Sequence, residues 1–200
     1  MTSPSLLLVS VVASLARERS ERKSIIPTRI ERLRRFGAGG FLAALEPGAV
    51  FPQIDLETES GARFVPPKAE TLYAFFKTTC PTSELTLPYL ERIRRIGGAA
   101  FPIYAVSQDD RTATAAFNSR LGVNLETLYD PEPWAASAAL GLTNVPTLFH
   151  VGAGGRIRDA MVGFQRQRIE GLARRATKLA GRSSARIFRI GEHVPFHVPG

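Results

Sequence analysis

The chain of 200 residues holds one cysteine, and its surroundings, "TLYAFFKTTCPTSELTLPYLERI" over residues 71 to 93, are those of a reactive thiol. Cys80 stands between an apolar run and a run with helical spacing that opens on Pro81. A cysteine just ahead of a helix N-terminus has its thiolate favoured by the helix dipole and by backbone N–H groups without partners, and the thiolate is the nucleophile. Pro81 suits the first helical turn, where its missing N–H is not needed. Thr79 and Thr82 flank the Cys80–Pro81 pair, and Ser83, one turn on, has a hydroxyl that can donate a hydrogen bond to the thiolate. Lys77 adds favourable charge, whereas Glu84 in the first turn opposes a second negative charge. The competing reading is a buried, inert cysteine, a common fate of a lone thiol.

The other residues capable of chemistry offer less. His150 falls in the strand-like run "PTLFHV" and is expected to be a half-buried strand residue; His193 and His197 lie in a Pro-broken tail where a helical i, i+4 metal pair cannot form. No metal site and no cofactor are expected. A single cysteine permits no internal disulfide, so the core must hold the fold together.

The elements that must position Cys80 are legible in the periodicity. "TLYAFF" at 71–76 reads as a strand buried on both faces. From Ser83 to Ile96, Leu85, Leu87, Leu90, Ile93 and Ile96 form an apolar stripe, with Glu84, Glu91, Arg92, Arg94 and Arg95 on a wet face and Pro88 as a kink. "PQIDLET" and "ARFV" suggest a short hairpin before the first strand. "FPIYAVS" is the next strand, and "DDRTATAAFNSRLG" is a helix with an Asp cap and a terminal Gly122. "ETLYD" is a short strand, and "PEPWAASAALG" a short helix that begins on proline and ends at Gly141. "PTLFHV" and "GRIRDAMVGF" form a hairpin about "GAGG", and "QRQRIEGLARRATKLAG" is a last amphipathic helix. Strands alternating with helices make an α/β layer protein with a central sheet.

Charge divides the chain differently. The net +8 is carried by the ends: residues 1–35 hold eight Lys/Arg against three Glu, residues 36–165 ten against thirteen acids, and residues 166–200 eight against two. Residues 1–45 therefore read as a basic leader or loosely packed segment, 46–182 as the domain and 183–200 as a C-terminal tail. The apolar run 5–16 falls short of the ~20 residues that span a bilayer and has no basic residue ahead of it. The expected location is cytoplasmic, with export or membrane association through the N-terminal segment as the alternative. No aromatic interleaves with the arginines before Phe36, which argues against single-strand binding, and no specific nucleic-acid partner is expected.

"FFKTTCPTSELTLPYLERI" and "YDPEPWAASAALGLTNVPTLFHVGAGGRI" together resemble the thioredoxin-like proteins of the TlpA and ResA type over about residues 46 to 180. The resemblance implies a thioredoxin-like fold, a central mixed β-sheet flanked by helices. It also implies a cis peptide at Val145–Pro146 facing Cys80, with the Val145 backbone pairing with a docked substrate chain. It assigns catalysis to Cys80, Ser83 and Pro146, and substrate contact to Thr79, Pro81, Thr82 and Val145. Two positions depart from the pattern: Ser83 stands in the place of the family's second cysteine, and Thr79 where a Trp usually precedes the first. Peroxiredoxins (AhpC/TSA) are similar in reading Cys-Pro-Thr, but Lys77 takes the place of their earlier Thr and no equivalent of their thiolate-steadying arginine is evident.

The implied activity is that of a thiol oxidoreductase with a CxxS site. Cys80 would exchange with a disulfide, or reduce a peroxide, with an external thiol or a protein disulfide as partner. A non-catalytic binding module that keeps the groove is the alternative, and a surface-binding protein using its basic ends is the third reading.

Overall fold

The apolar run after Glu70 forms β1 (Thr71–Phe76), every residue of it buried, in a computed structural model that describes residues 45–183 and 186–200. Of the leader expected over residues 1–45, residues 1–44 lie outside the described residues. β1 is the middle strand of a five-stranded sheet. It lies parallel to β2 (Ile103–Ser107), which is parallel to β3 (Glu126–Tyr129), and antiparallel to β4 (Thr147–Val151), which pairs antiparallel with β5 (Ile157–Val162). Strand alternation sorts β1 between two cores. Leu72, Ala74 and Phe76 face one that includes Leu87, Leu90, Ile93 and Ile169; Tyr73 and Phe75 face the other, with Leu56, Leu140 and Phe149. Burying one such aromatic side chain stabilises by about 1.5–3 kcal/mol, so the central strand anchors both layers.

Helix α1 (Pro81–Gly97) begins two residues before the predicted stripe, because Pro81 and Thr82 already belong to its first turn. It packs on α4 (Arg166–Leu179) so closely that a Cβ on Gly97 would lie 2.9 Å from Phe101 Cβ and 3.2 Å from Ala176 Cβ. Glu91, expected on the wet face, is buried instead. Arg94 and Arg95 reach it at 2.7 and 2.8 Å, and the Asn124 N–H donates to it at 3.2 Å, so the carboxylate keeps its partners. In α2 (Arg111–Leu121) the Asp110 carboxylate accepts from Ala113 N–H at 2.8 Å, and Gly122 at φ 63° ends the helix.

Three expectations change in detail. The hairpin before β1 is reduced to a single bridge, Glu57 with Arg63, closed by the Thr58-to-Ala62 and Phe64-to-Leu56 backbone bonds at 2.8 Å each. Helix α3 (Ala135–Ala139) does not start on proline: Pro131 and Pro133 precede it, and the buried Asp130 carboxylate accepts from Ala136 and Ser137 N–H at its start. His150, expected to be half-buried, is buried between Glu70 and the edge of Phe101.

The final residues pack onto the domain. Ile187, Phe188 and Val194 enter the α1/α4 core, and β7 (His197–Val198) pairs antiparallel with β6 (Phe164–Gln165). Among the described residues no helix is long and apolar enough to cross a membrane, and no group of three or more His, Cys, Asp or Glu is placed to hold a metal ion.

Candidate functional site

β1 carries the chain out of the core at Phe76, and after four connecting residues α1 begins; the connection therefore sits at the carboxyl end of β1. It is fixed from the neighbouring strand, where Asp109 just after β2 accepts from the Thr78 N–H at 2.6 Å. Cys80 takes the N-cap position of α1 with extended backbone (φ −91°, ψ 116°), and no side chain caps the helix there. A capping residue normally offers an oxygen to the N–H groups of the second or third helical residue. Here a sulfur holds that place, beside Thr82 and Ser83.

The Cys80 thiol is partly exposed and donates to the Val145 carbonyl oxygen across 3.1 Å. A carbonyl can only accept, so this is the protonated form of the site. Val145 precedes Pro146 through a cis peptide, and Pro146 is buried at the head of β4. The loop is tied to the sheet end by Gly163 N–H, which donates to Pro146 O at 2.8 Å. Cys80, Val145 and Pro146 thus come together from segments 65 residues apart.

The remaining candidate residues divide. Thr79 and Pro81 are exposed beside the thiol, and Thr82 is buried with its hydroxyl donating to Pro199 O at 2.7 Å. Ser83 is fully buried and its Oγ has no hydrogen-bond partner among the described residues, so the expected bond between this hydroxyl and Cys80 is not made in the protonated form. Nor does Glu84 act on the sulfur as an unpaired charge: Arg120 holds its carboxylate at 2.5 Å and lowers its pKa. Lys77 lies 4.3 Å over the Trp134 ring rather than on the sulfur.

Trp134 escaped sequence reasoning, although it is the only tryptophan of the chain. At φ 55° it is the one described non-glycine residue with left-handed backbone, and its Nε1–H donates to Gln108 O at 3.1 Å. With Lys77, Gln108, Asn144 and Val145 it lines a cleft of about 400 Å³ next to the thiol. Its position directly after Pro133 was the one available signal. Asn144 and Asp109 carried none, since each acts through the loop that presents it.

The strongest electrostatics lie at the other end of the sheet. Glu70, just ahead of β1, is buried and accepts from both Arg175 Nε and Nη2, at 2.6 and 2.5 Å, with His150 Nε2 at 2.7 Å. The Arg175 guanidinium, with His150 and Arg158, outweighs burial and holds the Glu70 pKa at about 2. Burial of His150 outweighs its carboxylate neighbour and lowers its pKa.

No protein-family model matches the chain, and no curated protein matches it by sequence. The fold, however, is shared with solved structures. A candidate thiol:disulfide interchange protein DsbE from Chlorobium tepidum superposes with TM-score 0.59 at 21% identity, over 69% of this chain and 100% of that one. The thioredoxin domain of a thiol-disulfide oxidoreductase from Bacteroides vulgatus gives 0.58 at 17%, over 68% and 99%. A secreted disulfide oxidoreductase of Mycobacterium tuberculosis gives 0.52 at 18%, over 62% and 96%. The architecture is that of the thioredoxin-like proteins, a mixed five-stranded sheet between helices, and at these identities the likeness is one of fold.

Proposed function

We propose that the protein is a single-thiol oxidoreductase that exchanges disulfides through Cys80. One observation carries the reading: a partly exposed cysteine occupies the N-cap position of α1 and hydrogen-bonds, at 3.1 Å, the carbonyl that precedes cis-Pro146. On losing its proton the sulfur can no longer donate to Val145 O. It becomes an acceptor instead, next to uncapped N–H groups and to the buried Ser83 hydroxyl that lacks a partner. Those groups are placed to donate to the sulfur. The thiolate then attacks one sulfur of a partner disulfide, forming the Cys80 mixed disulfide and releasing the other sulfur as a thiolate. An external thiolate attacks the mixed disulfide on the partner's sulfur, which forms a new disulfide and returns Cys80 as the thiolate. Ser83 cannot perform that second step, because its oxygen does not displace sulfur.

The partners are accordingly an external thiol and a protein or small disulfide. Thr79, Pro81 and the Lys77–Trp134 cleft line the approach, and Val145 offers its backbone to the incoming chain. A peroxide-reducing variant draws no support from the site, where, among the described residues, the Cys80 side chain is hydrogen-bonded to Val145 alone.

The reading is tested by mass spectrometry after brief exposure to a disulfide substrate. Wild type is expected to keep a persistent adduct on Cys80. Ser83→Cys, with a second thiol one turn along the helix, is expected to lose two hydrogens and carry no adduct. Absence of any adduct on an accessible wild-type Cys80 would transfer the reading to a binding module.

A further inference from the structure

The groove beside Cys80 is already in use by the chain itself. After Val194, which is buried, the chain runs back along the sheet end: Phe196 O accepts from the Arg166 N–H at 3.0 Å, and β7 pairs with β6. Pro199 O then takes the Thr82 hydroxyl at 2.7 Å, and Gly200 O takes Asn144 Nδ2 at 3.1 Å. These two donors lie on either side of the thiol, one in the first turn of α1 and one beside Val145.

The fit is steric as well as polar. A Cβ on Gly163 would fall 2.4 Å from Val198 O and 2.8 Å from Gly200 N, so the tail passes where this residue has no side chain. A Cβ on Gly200 would fall 2.9 Å from Val145 O, the atom that accepts the Cys80 hydrogen bond. No backbone-to-backbone hydrogen bond joins Gly200 to Val145. The tail therefore covers the edge without closing a ladder on it. Upstream the hold is much firmer: Arg92 grips Glu192 with two bonds of 2.8 Å and Ile187 O with one of 3.1 Å. Residues 197–200 are held by the two-residue β6–β7 pairing, by the packing of Val198 against the core and by the bonds from Thr82 and Asn144.

We infer that residues 197–200 are an internal occupant of the Cys80 groove, and that a polypeptide partner enters by displacing them. The inference rests on the single-thiol reading for what the groove does, but not for its occupancy. The occupant also describes the partner that fits: an extended segment whose residue against Val145 O has no side chain. Small disulfides and alkylating agents reach the partly exposed sulfur past the tail. A folded or polymeric reagent does not.

The test uses a variant ending at Phe196, with its melting curve compared with that of the full chain. Cys80 is alkylated with iodoacetamide and with a polymer-bearing maleimide. If the tail is closed about nine-tenths of the time, the ratio of bulky to small reagent rates rises roughly tenfold on its removal, in inverse proportion to the fraction of molecules formerly open. An unchanged ratio in a variant that melts like the full chain would overturn the inference. Should the shortened chain not fold, the full-length double variant Thr82→Val, Asn144→Ala removes both side-chain bonds to the tail; its ratio is expected to rise by a factor of about three, and no rise overturns the inference.

A blocked peptide His-Val-Pro-Gly added to the shortened protein is expected to restore protection, and His-Val-Pro-Ala is not. Equal protection by both removes the requirement for a residue without a side chain. Alkylation needs no disulfide exchange, so a shortened protein with an open thiol that forms no mixed disulfide would sink the proposed activity and leave the tail's role intact.

Discussion

The two ends of β1 solve opposite problems. At its start, the buried Glu70 carboxylate is paired with Arg175 at 2.5 and 2.6 Å and with His150 at 2.7 Å, and Arg158 stands 3.6 Å away. At its end, Cys80 meets a carbonyl, a buried hydroxyl without a partner among the described residues, and a final segment held by two side-chain bonds and the short β6–β7 pairing. The strongly shifted Glu70 lies at the end without the nucleophile. A buried carboxylate must be paired to avoid the cost of desolvation, so a depressed pKa there reports an ion-pair network and not a catalyst. The candidate site is marked instead by polar groups left available, an uncapped helix and an orphan hydroxyl, and by the left-handed backbone of Trp134.

Four changes put that contrast at risk. The largest effect is expected from Cys80→Ser, which should abolish disulfide exchange and leave the melting temperature almost unmoved, because the sulfur is not part of either core. Retained exchange activity would remove Cys80 from the mechanism.

Glu70→Gln should do the reverse. Arg175 and His150 lose a charged acceptor, and stability measured by denaturant titration is expected to drop by about 2–3 kcal/mol, at the low end because Arg175 remains partly solvated. The alkylation rate of Cys80 in the folded variant should be unchanged. A variant with altered Cys80 reactivity and normal stability would show that the two ends are coupled.

Acid should reveal the same asymmetry. Glu70 has a pKa of about 2 when folded against 4.5 otherwise, so between these values the unfolded chain binds the extra proton. Its contribution is present above about pH 4.5 and is lost as the pH falls towards 2. His150 has the same sign, since its pKa is lowered from 6.5 by folding: protonation favours the unfolded chain as the pH drops through and below 6.5. Glu192, held by Arg92, adds to the carboxylate loss in the same window. Stability measured from pH 7 to 3 should therefore decline in wild type and decline less steeply in Glu70→Gln. Parallel curves would exclude Glu70 as a source of acid sensitivity.

The smallest effect is expected from Lys77→Met. With its ammonium over Trp134 rather than on the sulfur, loss of the charge should alter the alkylation rate of Cys80 by roughly two- to fivefold and no more, the scale of one exposed cation–π contact. A change of several orders of magnitude would make Lys77 the group that activates the thiol.

Much of this arrangement is written in local patterns. The run Thr71–Phe76 is apolar without alternation because both faces of a central strand are covered, and Pro81 marks a helix start because its missing N–H costs nothing there. Asp110 and Gly122 bracket α2 for equally local reasons. From these the order of strands and helices and the place of Cys80 at a helix N-terminus follow. Glu91 misled the reading because its i+3 and i+4 arginines look the same on a wet face as over a buried carboxylate. His150 misled it because only the partner Glu70, 80 residues away, decides how deeply the ring is buried.

The chain's own order of residues determined the elements, since hydrophobic period, capping and proline act within a few neighbours. Tertiary structure decided everything that needs two distant segments at one point. It placed Val145 O against Cys80, left Ser83 without a partner, turned Trp134 towards Lys77 and laid residues 197–200 along Gly163. Such meetings depend on how the sheet orders its strands, and a contact between residues 65 or 117 positions apart leaves no periodic trace in either segment. The absence of a side chain at Gly163 is the clearest case: in the sequence it is one more turn glycine, and its φ of 72° together with the packed tail shows why a Cβ does not fit there.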